Sequence, residues 1–137
     1  MKLPRPTDTL AGCMWLPRIL AKARLKARGE LPEDYAARFG HPSGVDGTFL
    51  AFFGLSVEAI VKAATLSDEE AAAWFLSLPA AADSGIERWN HVAVNLGRPG
   101  FPLAARFPIA LRTSYKHLAH LNPSTIFEVL EADEREA

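Results

Sequence analysis

Apolar residues recur three and four positions apart along most of this chain, in short bursts separated by proline, glycine, serine and aspartate. The best-punctuated burst comes early. Leu16, Ile19, Leu20, Ala23 and Ala27 form one stripe, with Pro17 at the helix start, where its missing N–H loses no bond, and Gly29 just past the end. Arg18, Lys22 and Lys26 fall four apart on another face, while Arg24 and Arg28 flank the stripe, where their stems cover apolar surface. Leu31-Pro32-Glu33-Asp34-Tyr35 repeats the device, with acids placed in a first turn. Upstream, Thr7 and Asp8 are N-cap candidates for a short helical turn running to about Trp15.

The same grammar continues. Asp46 is read as the cap of a helix carrying Phe49, Leu50, Phe52 and Phe53, stopped by Gly54. Ser56 caps residues 57–64, and Ser67-Asp68-Glu69-Glu70 is a capping box ahead of residues 71–78. Ser84 to Glu87 offers a second box ahead of residues 89–96, with Gly97 as its stop. Pro108 predicts the start of another helix, in which Leu111, Tyr115, Leu118 and Leu121 face inward. Pro123 and Ser124 open a last one before an acidic tail whose end frays. No run alternates with period two, and no Asn-Gly turn joins two such runs. The expectation is an all-α fold, one domain over residues 1–137, built as a bundle of about six to eight short helices.

Composition narrows the class. At 137 residues and 49% apolar, the chain can bury a core without staples. Cys13 is the single cysteine, which excludes an internal disulfide and a cysteine-rich zinc site. The N-terminus lacks the apolar core of a signal peptide and no stretch is long enough to span a bilayer, so a cytoplasmic protein with no membrane attachment is expected.

Charge is laid out in blocks. Residues 1–30 sum to +5, residues 31–87 to −7, residues 88–122 to +5 with no acid at all, and residues 123–137 to −4. Such alternation is met either by internal pairing of basic and acidic helices or by two basic blocks converging on an anion.

Trp15-Leu16-Pro17-Arg18, Lys22-Ala23-Arg24 and Gly29-Glu30-Leu31-Pro32-Glu33-Asp34-Tyr35 together resemble a family of short bacterial proteins defined as a domain of unknown function, DUF5069. The resemblance continues through Gly44-Val45-Asp46-Gly47, Phe52-Phe53-Gly54-Leu55 and Ser67-Asp68-Glu69-Glu70, so it covers roughly the first two-thirds of the chain. It implies a shared compact helical domain and supplies no activity, ligand or catalytic residue.

The candidate binding residues follow from charge. Arg112, Lys116 and His120 are spaced by four and make one stripe on a helix after Pro108; paired with Arg18, Lys22 and Arg24 they would suit a small anionic ligand or an acidic partner segment. Asn90 and His91, beside Trp89, are the polar groups of an alternative enzymatic pocket. A further alternative is a homodimer through Phe49, Phe52 and Phe53, if that face is left uncovered. Nucleic acid is disfavoured by the net charge of −1 and by acids opening the helix after Ser67. His117 and His120 lie three apart, yet Arg112 and Lys116 beside them repel a cation and no third ligand is evident, so no metal or cofactor is expected. Cys13 reads as a buried, inert thiol.

Overall fold

Short amphipathic bursts become short helices in the structure, a computed structural model that describes residues 2–136. In chain order these are α1 (Leu16–Ala27), α2 (Glu33–Arg38), α3 (Val45–Phe53), α4 (Val57–Ala63), α5 (Asp68–Leu76), α6 (Gly85–Val94), α7 (Arg106–Arg112) and α8 (Ile126–Glu136). Two 3₁₀ segments, Pro79–Ala81 and Lys116–Leu121, complete the helical part. The fold is mostly helical, as the periodicity predicts.

One small piece of sheet was not expected. In place of a helical turn before Trp15, β1 (Thr9–Leu10) pairs antiparallel with β2 (Cys13–Met14), with Leu10 opposite Cys13. The two-residue loop is Ala11-Gly12, and both residues have positive φ, 56° and 76°. That is the geometry a two-residue hairpin demands. The signal was hidden because alanine stands where asparagine, aspartate or glycine usually takes the left-handed conformation.

The chain groups into two units, Met1–Trp89 and Asn90–Ala137, with the boundary inside α6. In the first, α1 packs on α4. Leu16, Ile19, Leu20 and Ile60 are fully buried and Ala23 and Ala63 nearly so, whereas Ala27 is exposed. Gly29, at φ 70°, ends α1 by letting Glu30 N–H reach Leu25 O (2.9 Å) and its own N–H reach Lys26 O (3.0 Å). These bonds satisfy carbonyls that a helix end leaves bare. Beside this lies an aromatic cluster. Phe49 and Phe53 meet at 5.0 Å between ring centroids, Phe53 and Phe75 at 4.8 Å, and Phe49 and Trp89 at 5.4 Å in an edge-to-face arrangement. Such pairs add about 0.5–1.5 kcal/mol each beyond the apolar area they bury.

In the second unit Leu118, Val129 and Ala132 are buried together, with Phe107, Leu111 and Tyr115 packed against them. Here the expected single helix after Pro108 is divided. α7 begins two residues earlier, with Pro108 inside its first turn, where an N–H has no intrahelical acceptor to lose. It stops at Arg112: Thr113 leaves helical geometry (φ −123°, ψ −97°) and its hydroxyl bonds back to Ile109 O at 2.8 Å. A 3₁₀ helix then takes over from Lys116. α8 opens behind Thr125, whose hydroxyl accepts Glu128 N–H at 3.3 Å, and the acidic tail continues it to Glu136.

Ser67 forms the predicted capping box, accepting Glu70 N–H at 3.2 Å while Glu70 accepts Ser67 N–H at 3.1 Å. Ser67→Ala removes one of these bonds and is expected to lower stability by about 1 kcal/mol in urea unfolding. The Ser67 backbone N–H, and then its hydroxyl, hold the Glu70 carboxyl below its ordinary value. A carboxylate with a lowered folded value contributes fully above the ordinary carboxylate range and loses that contribution as pH falls through the lowered value. The stability difference between the wild type and Glu70→Gln is therefore expected to shrink in acid; thermal melts across pH check it.

Candidate functional site

The charged centre of the first unit is Asp46, and it does not cap its helix as expected. Gly44 holds the N-cap position of α3, and Asp46 sits inside the first turn, 2% exposed. Its Oδ1 accepts the Trp15 indole N–H at 2.8 Å and Lys22 Nζ at 2.7 Å; its Oδ2 accepts Lys22 Nζ at 2.8 Å and Gly40 N–H at 3.0 Å. A carboxylate has about four lone-pair sites, so this one is filled. Its place near the start of α3 also suits a negative charge. Gly47 makes room for the arrangement, since a Cβ there would run into the His41 carbonyl and the Pro42 backbone.

Trp15 is bound into this centre from two sides of its chemistry. Its N–H goes to Asp46, and its ring lies 4.9 Å from Lys22 Nζ and 5.2 Å from Arg18 Cζ, within cation–π range. Its backbone is left-handed, φ 75°, a conformation that costs a non-glycine residue about 1–3 kcal/mol and persists only where surroundings enforce it. The three α1 cations of the predicted anion site thus have structural positions. Arg18 is 2% exposed and donates to Pro4 O at 3.0 Å; Lys22 is 7% exposed against Asp46. Arg24 clamps the connection between α4 and α5, donating to Ala64 O (3.0 Å), Leu66 O (3.1 Å) and Asp68 Oδ1 (2.8 Å).

The second basic block is disposed differently. Arg112 lies at the end of α7, and Lys116 and His120 lie in the following 3₁₀ helix, so the three are not one α-helical stripe. In three-residue turns His120 eclipses His117 rather than Lys116. His117 Nε2 meets Asp133 Oδ1 of α8 at 3.1 Å. Arg98, Arg106, Arg112, Lys116 and His120 are exposed, and among the described residues none of their side chains has a hydrogen bond or ion pair.

The remaining candidates are quickly placed. Trp89 is fully buried and donates its indole N–H to Met14 O at 2.9 Å. Asn90 is half-buried; His91 is exposed, its ring 5.8 Å from that of Phe101. Phe49 and Phe53 are interior, at 0% and 3% exposure, so they present no open face. His41 Nδ1 faces the Ser43 hydroxyl at 2.8 Å and accepts Ser43 N–H at 3.1 Å, which is a local turn contact. Among the described residues no three histidine, cysteine or acidic side chains converge as a metal ion requires, and no helix is long and apolar enough to cross a membrane. Sequence reasoning missed the Asp46 centre, although Trp15, Lys22 and Asp46 all lie in the stretches that carry the family resemblance. The signal was an aspartate between Val45 and Gly47 at the start of an apolar run.

The chain belongs to the family described as a domain of unknown function, DUF5069, which matches residues 2–136 and so extends well past Glu70, where the quoted motifs end. No curated protein and no solved structure matches it.

Asp46→Asn leaves Lys22 buried without its counter-charge and is expected to cost about 3–5 kcal/mol, measured by chemical denaturation; the double change with Lys22→Met should recover much of it. Burial pushes the Cys13 thiol up to about 12. The native protein should therefore fail to react with an aromatic disulfide reagent at mildly alkaline pH, and one thiol should titrate once denaturant is added.

Proposed function

We propose that this member of a family without assigned activity is a binding module for an acidic partner segment, held through the cations of residues 98–120. One observation carries the reading: Arg98, Arg106, Arg112 and Lys116 are exposed and without ion-pair partners among the described residues, in a stretch that contains no acid. Unpaired cations of one sign attract an anionic partner over a Debye length and accelerate its encounter. Arg18, Lys22 and Arg24 of α1 differ, because each is tied to Asp46, Asp68 or backbone carbonyls, and binding there would have to displace those contacts. Cations distributed over a loop, a helix and a 3₁₀ turn suit an extended segment better than a single small metabolite.

Neither alternative gains comparable support. A pocket centred on Trp89 lacks an open ring, since that indole is fully buried. Dimerisation through Phe49, Phe52 and Phe53 would need rings of which Phe49 and Phe53 are already in the core and Phe52 is half-buried.

The test is fluorescence anisotropy with a labelled Glu/Asp-rich peptide. Reversing Arg112 and Lys116 together to Glu should weaken binding about tenfold or more, and salt should weaken it for the wild type. Lys62→Ala, an exposed cation on α4, should have no such effect. Equal binding by the wild type and the reversed variant would end the proposal.

A further inference from the structure

Resting on that reading, α7 fixes where the acids and the apolar side chains of such a segment fall. Phe107 and Leu111 share the face of α7 that packs on Leu118, Val129 and Ala132. Ile109 stands near the middle of the opposite face and is 50% exposed. Arg106 and Arg112 lie three residues before and after it, which puts them roughly 60° to either side and about 4.5 Å along the helix axis. A single half-exposed isoleucine is ordinary on a protein surface. Two arginines bracketing it, both without a use inside the protein, make a pattern that a partner can read.

Charge on this face is of one sign. Arg106 and Arg112 are exposed, and among the described residues neither side chain has a hydrogen bond or ion pair. Residues 88–122 contain no acid. The acids of α8 belong to the element on which Phe107 and Leu111 pack, so the outward face of α7 turns away from them. Each guanidinium is therefore free to present its planar fork to a carboxylate.

Spacing then restricts the occupant. Arg106 and Arg112 are separated by about 9 Å of helix axis and splay to opposite sides of Ile109. An extended segment places every second side chain on one face and advances about 3.3 Å per residue, so three such side chains span about 13 Å. That span fits two long arginine side chains with an isoleucine between them. We infer that α7 docks an extended segment of a partner protein whose apolar side chain, such as leucine, lies on Ile109, with acids two positions before and after it held by Arg106 and Arg112. One isoleucine offers little apolar area for insertion into lipid, which favours a protein segment over a membrane surface. The apolar contact sets the register, which exposed charges alone do not.

Two labelled peptides of identical composition and charge test this on the full chain by fluorescence anisotropy. In one, leucine has a glutamate two positions away on each side; in the other, the glutamates are adjacent and leucine stands at the far end. The first should bind about tenfold tighter. Ile109→Ser should remove that preference, and Arg106→Gln should weaken the first peptide severalfold; unchanged melting temperatures verify that both variants fold. Equal affinity of the wild type for the two peptides would overturn the α7 assignment while leaving the basic-segment reading intact, provided the Arg112/Lys116 reversal still weakens both. A preference that survives Ile109→Ser would overturn it as well. Binding of neither peptide would remove both readings. Co-sedimentation with phosphatidylserine vesicles that Ile109→Ser abolishes, or a dimer in sedimentation that Ile109→Ser dissociates, would also overturn it, by making the occupant lipid or a second copy of this chain.

Discussion

A lysine and an aspartate closed off from water are tolerable only when hydrogen bonds replace the hydration each has lost. Lys22 and Asp46 satisfy that condition through shared partners from separate parts of the first unit: the Trp15 indole at the end of the β-hairpin, the Gly40 amide ahead of α3, and α1 itself. The pair is thus a junction. It fixes where α1 begins, since the left-handed Trp15 backbone is maintained by the same indole that bonds Asp46. It also fixes the approach of the loop before α3, which Gly47 lets pass close to the helix. Hydrophobic burial alone would leave these elements free to slide; directional bonds to one carboxylate do not.

Around this junction the protein uses charge in two ways. In α1, Arg18 and Arg24 are internal fasteners: Arg18 secures the N-terminal segment at Pro4, and Arg24 gathers the carbonyls left bare after α4 together with Asp68 at the start of α5. In residues 98–120 positive residues stand exposed without partners among the described residues. The difference is one of reach. The first block has nearby acids and bare helix-end carbonyls to meet, and the second has no acid anywhere between residues 88 and 122.

Much of the architecture was legible because it is local. Capping at Ser56 and Ser67, the stops at Gly29 and Gly54, and the stripe Leu16, Ile19, Leu20 and Ala23 all depend on neighbours within one or two turns. The hairpin escaped because Ala11 accepts a left-handed conformation that the pairing of β1 with β2 imposes on it. The division of α7 from the following 3₁₀ helix escaped because the apolar spacing of Leu111, Tyr115 and Leu118 is consistent with either course; the break lies in the backbone at Thr113, beyond which Tyr115 N–H reaches back to Ala110 O.

For the candidate site the limits were of another kind. Sequence by itself determined that this chain is helical, that its charge alternates in blocks and that one basic block lacks acids of its own. Only tertiary structure decided which cations are committed. Lys22 and Asp46 are 24 positions apart, and Arg24 and Asp68 are 44. Local periodicity places a side chain on a helix face, but it carries no information about which distant face comes to meet it. That meeting tied Arg18, Lys22 and Arg24 to partners within the first unit and left Arg98, Arg106, Arg112 and Lys116 exposed.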